Sequence, residues 1–136
     1  MNIAISEAAS LALHALAELA RQQDAAPTTT AKIAEHFGFS EAHLSKVFQR
    51  LAKAGLVKSE RGPKGGFSLT RDPASITLME IYEAIDGPLS RGSGCLLERS
   101  PCAFDGCIFG DLLLSVPARI GEYFASTSLA DVAKSH

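Results

Sequence analysis

Apolar residues recur at helical spacing near the start of the chain. Ser6 and Glu7 suit the beginning of a first helix that continues to about Gln22. Its apolar surface, which predicts burial in a core, consists of Leu11, Ala12, Ala15, Leu16, Leu19 and Ala20. His14 lies within this run, and the pattern alone favours a histidine without a ligand. Because His14 and Glu18 interrupt the run and no basic region precedes it, we expect neither a signal peptide nor a membrane span.

Two shorter helices follow, with a tight break between them at Gly38. Thr28 to Thr30 offer hydroxyl caps for the first of them, and Gly38 supplies the turn after it. Ser40 is placed to cap the second, which runs to about Ala54. The positions predicted to face the core are Ile33, Ala34 and Phe37 on the first helix and Leu44, Val47, Phe48 and Leu51 on the second.

The other face of the second helix is polar and basic, and the segment after this helix indicates what that face binds. Residues 56–59 have strand character, residues 61–66 form a basic Gly-Pro turn, and residues 67–69 return as a second strand. A basic helix face alone is usually just solvated. A helix-turn-helix followed directly by a basic, glycine-rich hairpin is instead typical of a winged helix, whose second helix enters a groove of double-stranded DNA.

The predicted DNA interface has a helical part and a hairpin part. On the helices the candidate contacts to bases or phosphates are Thr30, Ser40, His43, Ser45, Lys46, Gln49 and Arg50. In the hairpin, Arg61 and Lys64 carry charge toward a phosphate or a minor groove. Gly65 and Gly66 allow the backbone to approach a phosphate closely.

The charge of the chain supports this interface once it is divided by region. The 136 residues carry a net charge of −2, but residues 32–71 hold eight Lys/Arg and three acids, a balance of +5 that leaves −7 elsewhere. The positive field is therefore local, as groove binding requires. The length allows one domain, or one domain with a dimerising extension, and a hydrophobic content of 46% is ample for a core. We expect a cytoplasmic protein with no membrane partner, in a compartment where thiols stay reduced.

Two further helices are predicted beyond the hairpin. Thr77 and Glu80 form a capping box for a helix that ends near Asp86. From about Phe104 to Ala125 the pattern is helical again, and a helix this apolar outside a small finished domain predicts a dimer seam. Pro117 should kink or split this last helix. The closing residues 126–136 are expected to pack back through Leu129 and Val132.

The predicted fold is mainly α with a small β-hairpin wing. It consists of a winged helix-turn-helix DNA-binding domain over residues 1–86, a cysteine-containing sensor loop over residues 87–110, and a dimerisation helix with its tail over residues 104–136. The loop and the helix overlap within one structural unit.

Three cysteines, Cys95, Cys102 and Cys107, lie in the spacing C-x6-C-x4-C on a loop interrupted by Gly and Pro. Such a loop can turn three thiolates toward one iron-sulfur centre, which needs a fourth ligand from elsewhere. The absence of C-x2-C pairs makes structural zinc a weaker alternative. A thiol or disulfide switch and unliganded thiols also remain open. An enzyme is not expected, since no nucleotide loop or acid/base pair is present, and an iron-sulfur electron carrier is a remote alternative.

Several stretches together resemble the Rrf2 family of bacterial winged-helix transcription regulators, which includes iron-sulfur and nitric oxide sensors. They are LALHALAELA, SEAHLSKVFQRLAKAGLVKSERGPKGGFSL, ITLMEIYEAID, the three-cysteine loop and STSLADV. The resemblance implies a homodimer that binds a partly palindromic promoter site. It also implies an iron-sulfur cluster, 2Fe–2S or 4Fe–4S, near the subunit interface, which would sense redox, nitric oxide or iron-sulfur status.

The resemblance also assigns cluster ligands. Cys95, Cys102 and Cys107 correspond to the family's cluster cysteines, with the middle one displaced by one position. The fourth ligand does not carry over directly, because Gly110 stands where some members have a histidine. His14 corresponds to a helix position from which at least one relative ligates its cluster, and it is the leading candidate. The further candidates are Ser10, Glu7, Asp105 and a small external ligand. Pro117 departs from the family's usual uninterrupted helix.

Overall fold

The computed structural model describes residues 5–22, 27–62, 65–89 and 104–135. These ranges form six α-helices, one short 3-10 helix and one antiparallel hairpin. In chain order they are α1 (Glu7–Arg21), α2 (Thr30–Phe37), α3 (Glu41–Lys53), β1 (Val57–Glu60), β2 (Gly66–Leu69), the 3-10 helix (Pro73–Ser75), α4 (Leu78–Asp86), α5 (Leu112–Ser126) and α6 (Leu129–Ser135). The predicted fold class, mainly helical with a β-hairpin wing, is confirmed.

The helices begin where polar side chains satisfy their first amides. The Ser6 hydroxyl oxygen accepts a hydrogen bond from the Ala9 N–H at 3.0 Å at the start of α1. The start of α4 carries the predicted capping box: Thr77 Oγ1 accepts from the Glu80 N–H at 3.2 Å, and the Glu80 carboxylate accepts from the Thr77 N–H at 3.0 Å. The sequence therefore predicted these two boundaries from local chemistry alone.

Helix α1 is the centre of the core and packs against α3, α4 and α6. Leu16 on α1 and Phe48 on α3 are completely buried, which follows from the apolar spacing of both helices. The tail returns to this core as predicted, since Leu129 is also completely buried. It is held by main-chain hydrogen bonds, one of which runs from the Leu129 N–H to the Ile76 carbonyl at 2.9 Å.

Helix α5 is shorter than the sequence indicated. The apolar pattern predicted a helix from about Phe104, but residues 104–111 form turns and bends, and α5 begins only at Leu112. Gly110 explains part of the difference, because its φ of 64° lies in the left-handed region and breaks helical geometry. Pro117 was predicted to kink or split this helix, and the split does not occur: α5 continues through Pro117, whose ring is buried. Proline at this position removes one N–H donor from the helix.

Among the described residues, none of the helices has both the length and the apolar character needed to cross a lipid bilayer.

Candidate nucleic-acid interface

The turn between α2 and α3 has the geometry expected of a helix-turn-helix. Thr29, rather than Thr28 or Thr30, caps α2, and its hydroxyl oxygen accepts from the Lys32 N–H at 3.2 Å. Gly38 ends α2 with a left-handed φ of 74°. The N–H groups of Gly38 and Phe39 both donate to the Ala34 carbonyl. This closed turn fixes the direction in which α3 leaves α2.

Helix α3 separates a buried face from an exposed one, as the sequence predicted. Leu44, Val47, Phe48 and Leu51 are buried. Lys46, Gln49, Arg50 and Lys53 are exposed, while His43 and Ser45 are partly exposed. Ser40 is exposed too, but its hydroxyl oxygen caps α3 by accepting from the His43 N–H at 3.3 Å. Its hydroxyl proton is the part of that group left to donate to a phosphate.

The wing is joined directly to the segment before α2. Strands β1 and β2 pair antiparallel, with Val57 opposite Leu69 and Glu60 opposite Gly66. Thr28 extends this hairpin as an isolated bridge: its N–H donates to the Phe67 carbonyl at 3.2 Å, and the Phe67 N–H donates back at 2.8 Å. Nothing in the local sequence pattern around Thr28 predicted this pairing, because its partner lies far along the chain.

An aromatic stack joins the wing to α3. The rings of Phe48 and Phe67 have centroids 4.6 Å apart and an interplanar angle of 25°. Phe67 therefore contacts α3 with its side chain and the Thr28 segment with its main chain. The two candidate DNA-contacting elements form one packed unit.

The tip of the wing carries the predicted basic and glycine residues. Arg61 is exposed, and the Gly65 N–H donates to the Gly62 carbonyl at 2.8 Å within the turn. A Cβ on Gly65 would lie 2.5 Å from the Glu60 carbonyl oxygen, so the turn itself requires glycine there. Lys64 lies outside the described residues. The position of Thr30, half-buried in the first turn of α2, is compatible with its predicted contact role.

Arg50 differs from the other residues of the α3 face. It is exposed, yet its Nη2 donates a hydrogen bond to the main-chain carbonyl of Ile85 in the last turn of α4. Sequence analysis assigned Arg50 the same predicted role as Lys46, because the two lie one helical turn apart on α3. The structure shows that its guanidinium group is already engaged by the protein.

A profile of the Rrf2 family, described as an iron-dependent transcriptional regulator, matches residues 5–135. The chain belongs to the Rrf2 family. The transcriptional regulator IscR of Xenorhabdus nematophila is 32% identical over 123 residues, which cover 90% of this chain and 74% of that protein. Escherichia coli IscR is 41% identical over 75 residues, which are 55% of this chain and 46% of that protein. The predicted class of transcriptional regulator is thereby confirmed.

Solved structures of Rrf2 regulators have the same fold. CymR of B. subtilis, the global cysteine regulator, superposes with a TM-score of 0.81 and 30% identity over 99% of both chains. IscR of T. potens superposes with a TM-score of 0.74 and 30% identity over 99% of this chain and 89% of that one. This Rrf2 chain is thus similar in fold to both CymR and IscR.

The described part of this Rrf2 chain holds only a portion of the predicted cluster site. Cys95 and Cys102 lie outside the described residues, whereas Cys107 is exposed and its Sγ accepts from the Phe109 N–H at 3.5 Å. Within the described ranges no group of three or more His, Cys, Asp or Glu side chains is arranged to hold a metal ion. The three-cysteine ligand set therefore stays a prediction.

His14 fits the chemistry of a fourth ligand. It is exposed on α1, and its Nδ1 lies 2.7 Å from the Ser10 carbonyl, to which a protonated Nδ1 donates. That tautomer leaves the lone pair on Nε2, the form in which imidazole binds metals. The ring also meets Phe37 and Phe39 edge-on, at centroid distances of 6.1 and 6.4 Å. The other candidates, Glu7, Ser10 and Asp105, are at least partly exposed.

A buried carboxylate on α1 was missed by the sequence analysis. Glu18 is only 6% exposed, and it accepts hydrogen bonds from Arg21, at 3.2 Å, and from Gln22. The Gln22 side-chain oxygen in turn accepts from the Thr28 hydroxyl at 3.0 Å. This chain of contacts links α1 to the segment that pairs with the wing. The burial of Glu18 could have been predicted from the sequence, because Glu18 lies at helical spacing from the buried Leu11 and Ala15.

The predicted dimer helix exposes an apolar surface. Large apolar side chains that are exposed on and just before α5 are Phe104, Ile108, Phe109, Leu112, Leu114 and Tyr123. A groove of about 330 Å³ lies on the same helix, lined by Ile5, Val116, Arg119, Ile120, Tyr123 and Phe124. An exposed apolar patch of this kind is typical of a protein-protein contact.

Proposed function

We propose that this chain is a homodimeric, DNA-binding Rrf2 regulator in which each protomer reads half of a partly palindromic promoter site. The observation that carries the proposal is the two-sided helix α3, buried through Phe48 and exposed through Lys46 and Gln49. The wing is packed against this helix by the Phe48–Phe67 stack. Helix and wing thus approach a duplex as one unit.

Each exposed group has a distinct task in this proposal. Gln49 and Ser45 are proposed to contact base edges. The Gln49 amide can pair with two atoms of an adenine, and the Ser45 hydroxyl can bond to several bases. Lys46 on α3 and Arg61 on the wing contact phosphates or the minor groove. The remaining proposed contacts are Thr30 and Ser40 near helix starts, His43, and the wing residues Lys64, Gly65 and Gly66.

Dimerisation places two such units on one duplex. The exposed apolar side chains of α5, among them Leu112, Leu114 and Tyr123, are proposed to pack against the same helix of a second protomer. Burying these side chains removes apolar area from water, which favours association. The spacing of the two α3 helices then sets the spacing of the half-sites.

Regulation is proposed to act through an iron-sulfur cluster held by the thiolates of Cys95, Cys102 and Cys107. His14 Nε2 is the proposed fourth ligand, because its Nδ1 is directed to the Ser10 carbonyl. When bound, the cluster supplies a group that is sensitive to oxidation, nitric oxide or loss of iron. Release of the ligands changes how the protomers hold their α3 helices, and a coupling of about 1–3 kcal/mol gives roughly 5- to 150-fold regulation.

A thiol switch is the second candidate, because Cys95, Cys102 and Cys107 lie within thirteen residues of one another in the sequence. Cys107 is exposed, so oxidants reach its thiol without unfolding the protein. In this case two of the three cysteines form a disulfide under oxidant, and thiol reductants reverse it.

Anaerobic purification followed by spectroscopy and DNA titration of one sample tests both candidates. Visible absorbance with about two or more irons per cluster, lost in Cys107→Ser, supports cluster sensing. Colourless protein that reversibly loses free thiols supports the thiol switch. DNA titration with and without metal, at several salt concentrations, then tests the regulator itself. Absence of specific DNA binding in every form contradicts both, and sedimentation analysis tests the dimer.

A further inference from the structure

The last turn of α4 lacks a cation of its own. A helix exposes unpaired carbonyl groups at its C-terminus, and its dipole makes that end negative. The Gly87 N–H satisfies the Glu83 carbonyl at 3.0 Å, but no basic residue lies in the last turn, which ends instead with the acidic Asp86. This end of α4 is therefore stabilised from outside the helix.

Two other helices donate hydrogen bonds to this end of α4, one to a main-chain carbonyl and one to the Asp86 carboxylate. From α3, Arg50 donates through Nη2 to the Ile85 carbonyl and brings a positive charge to the negative end of α4. From the start of α1, the Ser6 N–H and hydroxyl donate to the two carboxylate oxygens of Asp86, at 3.1 and 2.5 Å. Three helices thus meet at Ile85 and Asp86, directly before Gly87, the C-cap residue of α4.

We infer that Arg50 is a positioning residue of the DNA interface and not a DNA contact, an inference that rests on the proposed role of α3 as the reading helix. Arg50 lies in the last turn of α3, so its bond to Ile85 restrains the rotation of α3 about its own axis relative to α4. That rotation decides which edge of a base Gln49 faces. The bond from the Arg50 guanidinium to Ile85 therefore sets the orientation of α3, and the guanidinium does not serve as a phosphate contact.

The two roles of Arg50 have different signatures in DNA binding. A phosphate contact contributes to specific and non-specific binding alike, and its loss flattens the salt dependence by about 0.9 per contact. A positioning contact contributes to specific binding alone, because non-specific binding does not need the bases to be in register. A role in stability alone changes neither affinity while the protein remains folded.

Arg50→Met and Lys46→Met form a matched pair of variants for the test. The probes are a duplex that the wild-type protein selects from a random-sequence library and a shuffled duplex of the same composition. Titrations run across a salt series, at a temperature where thermal unfolding shows all proteins to be folded. If Arg50→Met does not fold, Arg50→Gln is used, since it also removes the charge and keeps an amide donor.

We expect Arg50→Met to weaken specific binding about tenfold or more, with shuffled-duplex binding and salt slope unchanged, and to unfold at a lower temperature. Lys46→Met should weaken binding to both duplexes and flatten the slope by about 1.8 per dimer. The inference is overturned if Arg50→Met behaves like Lys46→Met, or if it lowers the unfolding temperature alone. If Lys46→Met also leaves both affinities unchanged, the proposed DNA-reading role of α3 fails instead.

Discussion

The main chain of Thr28 passes so close to Gly66 that a Cβ on Gly66 would lie 2.6 Å from both the carbonyl carbon and the carbonyl oxygen of Thr28. The next residue, Phe67, exchanges two main-chain hydrogen bonds with Thr28. Gly66 is therefore required by the junction between wing and α2, independently of any approach to DNA. Sequence analysis predicted that Gly66 allows close approach to a phosphate, and the structure shows that Gly66 also allows close approach of the Thr28 main chain.

Gly66→Ala should be strongly destabilising. Its φ of 153° is unfavourable for a side chain, and the added methyl group would force the Thr28 segment away from Phe67. We expect a loss of about 2–4 kcal/mol in the free energy of unfolding, measured by urea denaturation at fixed protein concentration. Gly55→Ala is the matched control, because its φ is 80° and nothing lies within 4 Å of the added Cβ. That control should lose only about 1–2 kcal/mol; equal losses would contradict the crowding at Thr28.

Phe67→Leu should weaken the link between wing and α3 while keeping most of the apolar volume. The change removes the ring that stacks on Phe48 at a centroid distance of 4.6 Å. Aromatic pairs are worth about 0.5–1.5 kcal/mol beyond the burial of their area, so the unfolding free energy should fall by about 1 kcal/mol. Specific DNA binding should fall as well, since the wing is less firmly placed. Leu69→Met, on the same strand but outside the stack, is the control that should leave DNA binding unchanged.

The parts of this fold that follow local rules were predictable from the sequence. Ser6, Ser40 and Thr77 cap helices as predicted because an N-cap depends on residues within one turn. The Arg50–Ile85 bond and the Thr28–Phe67 pairing were not predicted, since each joins segments far apart in the chain. Helical periodicity gives the face on which a side chain lies but not the group that it meets there.

Just before α5 the apolar pattern predicted a helix that the structure does not contain. An apolar pattern suggested a helix across residues 104–111, but this segment forms turns and bends, and apolar side chains such as Phe104 and Ile108 are exposed. Periodicity reports that a surface is apolar and does not report whether the same chain covers it. The ligand role of Cys107 stays a prediction for a related reason, because cysteine spacing identifies the thiols and not the atom that they bind.

The ion pair between Arg71 and Glu80 should make part of the stability depend on pH. Partial burial alone would raise the pKa of the Glu80 carboxyl, but hydrogen bonds from Arg71, at 2.8 Å, and from Thr77 together hold the pKa below its usual range. A lowered pKa in the folded state contributes stability above the unfolded-state pKa, and that stability is lost as pH falls through the folded-state pKa.

Glu80→Gln tests this dependence, because glutamine can still serve in the capping box but cannot be ionised. We expect it to lower the unfolding free energy by at most about 1 kcal/mol at neutral pH, since the pair is partly exposed. The difference from the wild-type protein should vanish below the folded-state pKa, where Glu80 is protonated. Urea denaturation across the acid range measures it. A difference that persists undiminished in acid would assign the loss to the cap and not to the charge.

His14→Ala should reduce the ability of the protein to retain an iron-sulfur cluster. The orientation of its ring, with Nδ1 directed to the Ser10 carbonyl, leaves Nε2 for a ligand bond. We expect a lower iron content and an altered visible spectrum after anaerobic purification, with circular dichroism showing unchanged helix content. Ser10→Ala is the matched control, because it removes another candidate ligand and keeps the carbonyl that orients His14. Loss of iron in Ser10→Ala, with normal iron in His14→Ala, would reverse the assignment.

Arg61→Ala should weaken DNA binding without affecting the fold. Arg61 is exposed in the turn of the wing, so its removal leaves no buried group unpaired. A phosphate contact from each protomer of a dimer adds about 1.8 to the dependence of log Kd on log salt, and that amount should disappear. Lys134→Ala removes an exposed charge from α6, which is not part of the proposed DNA interface, and should leave the slope unchanged. Titration of a duplex across a salt series measures both, and an unaltered slope in Arg61→Ala would show that the wing tip does not contact phosphate.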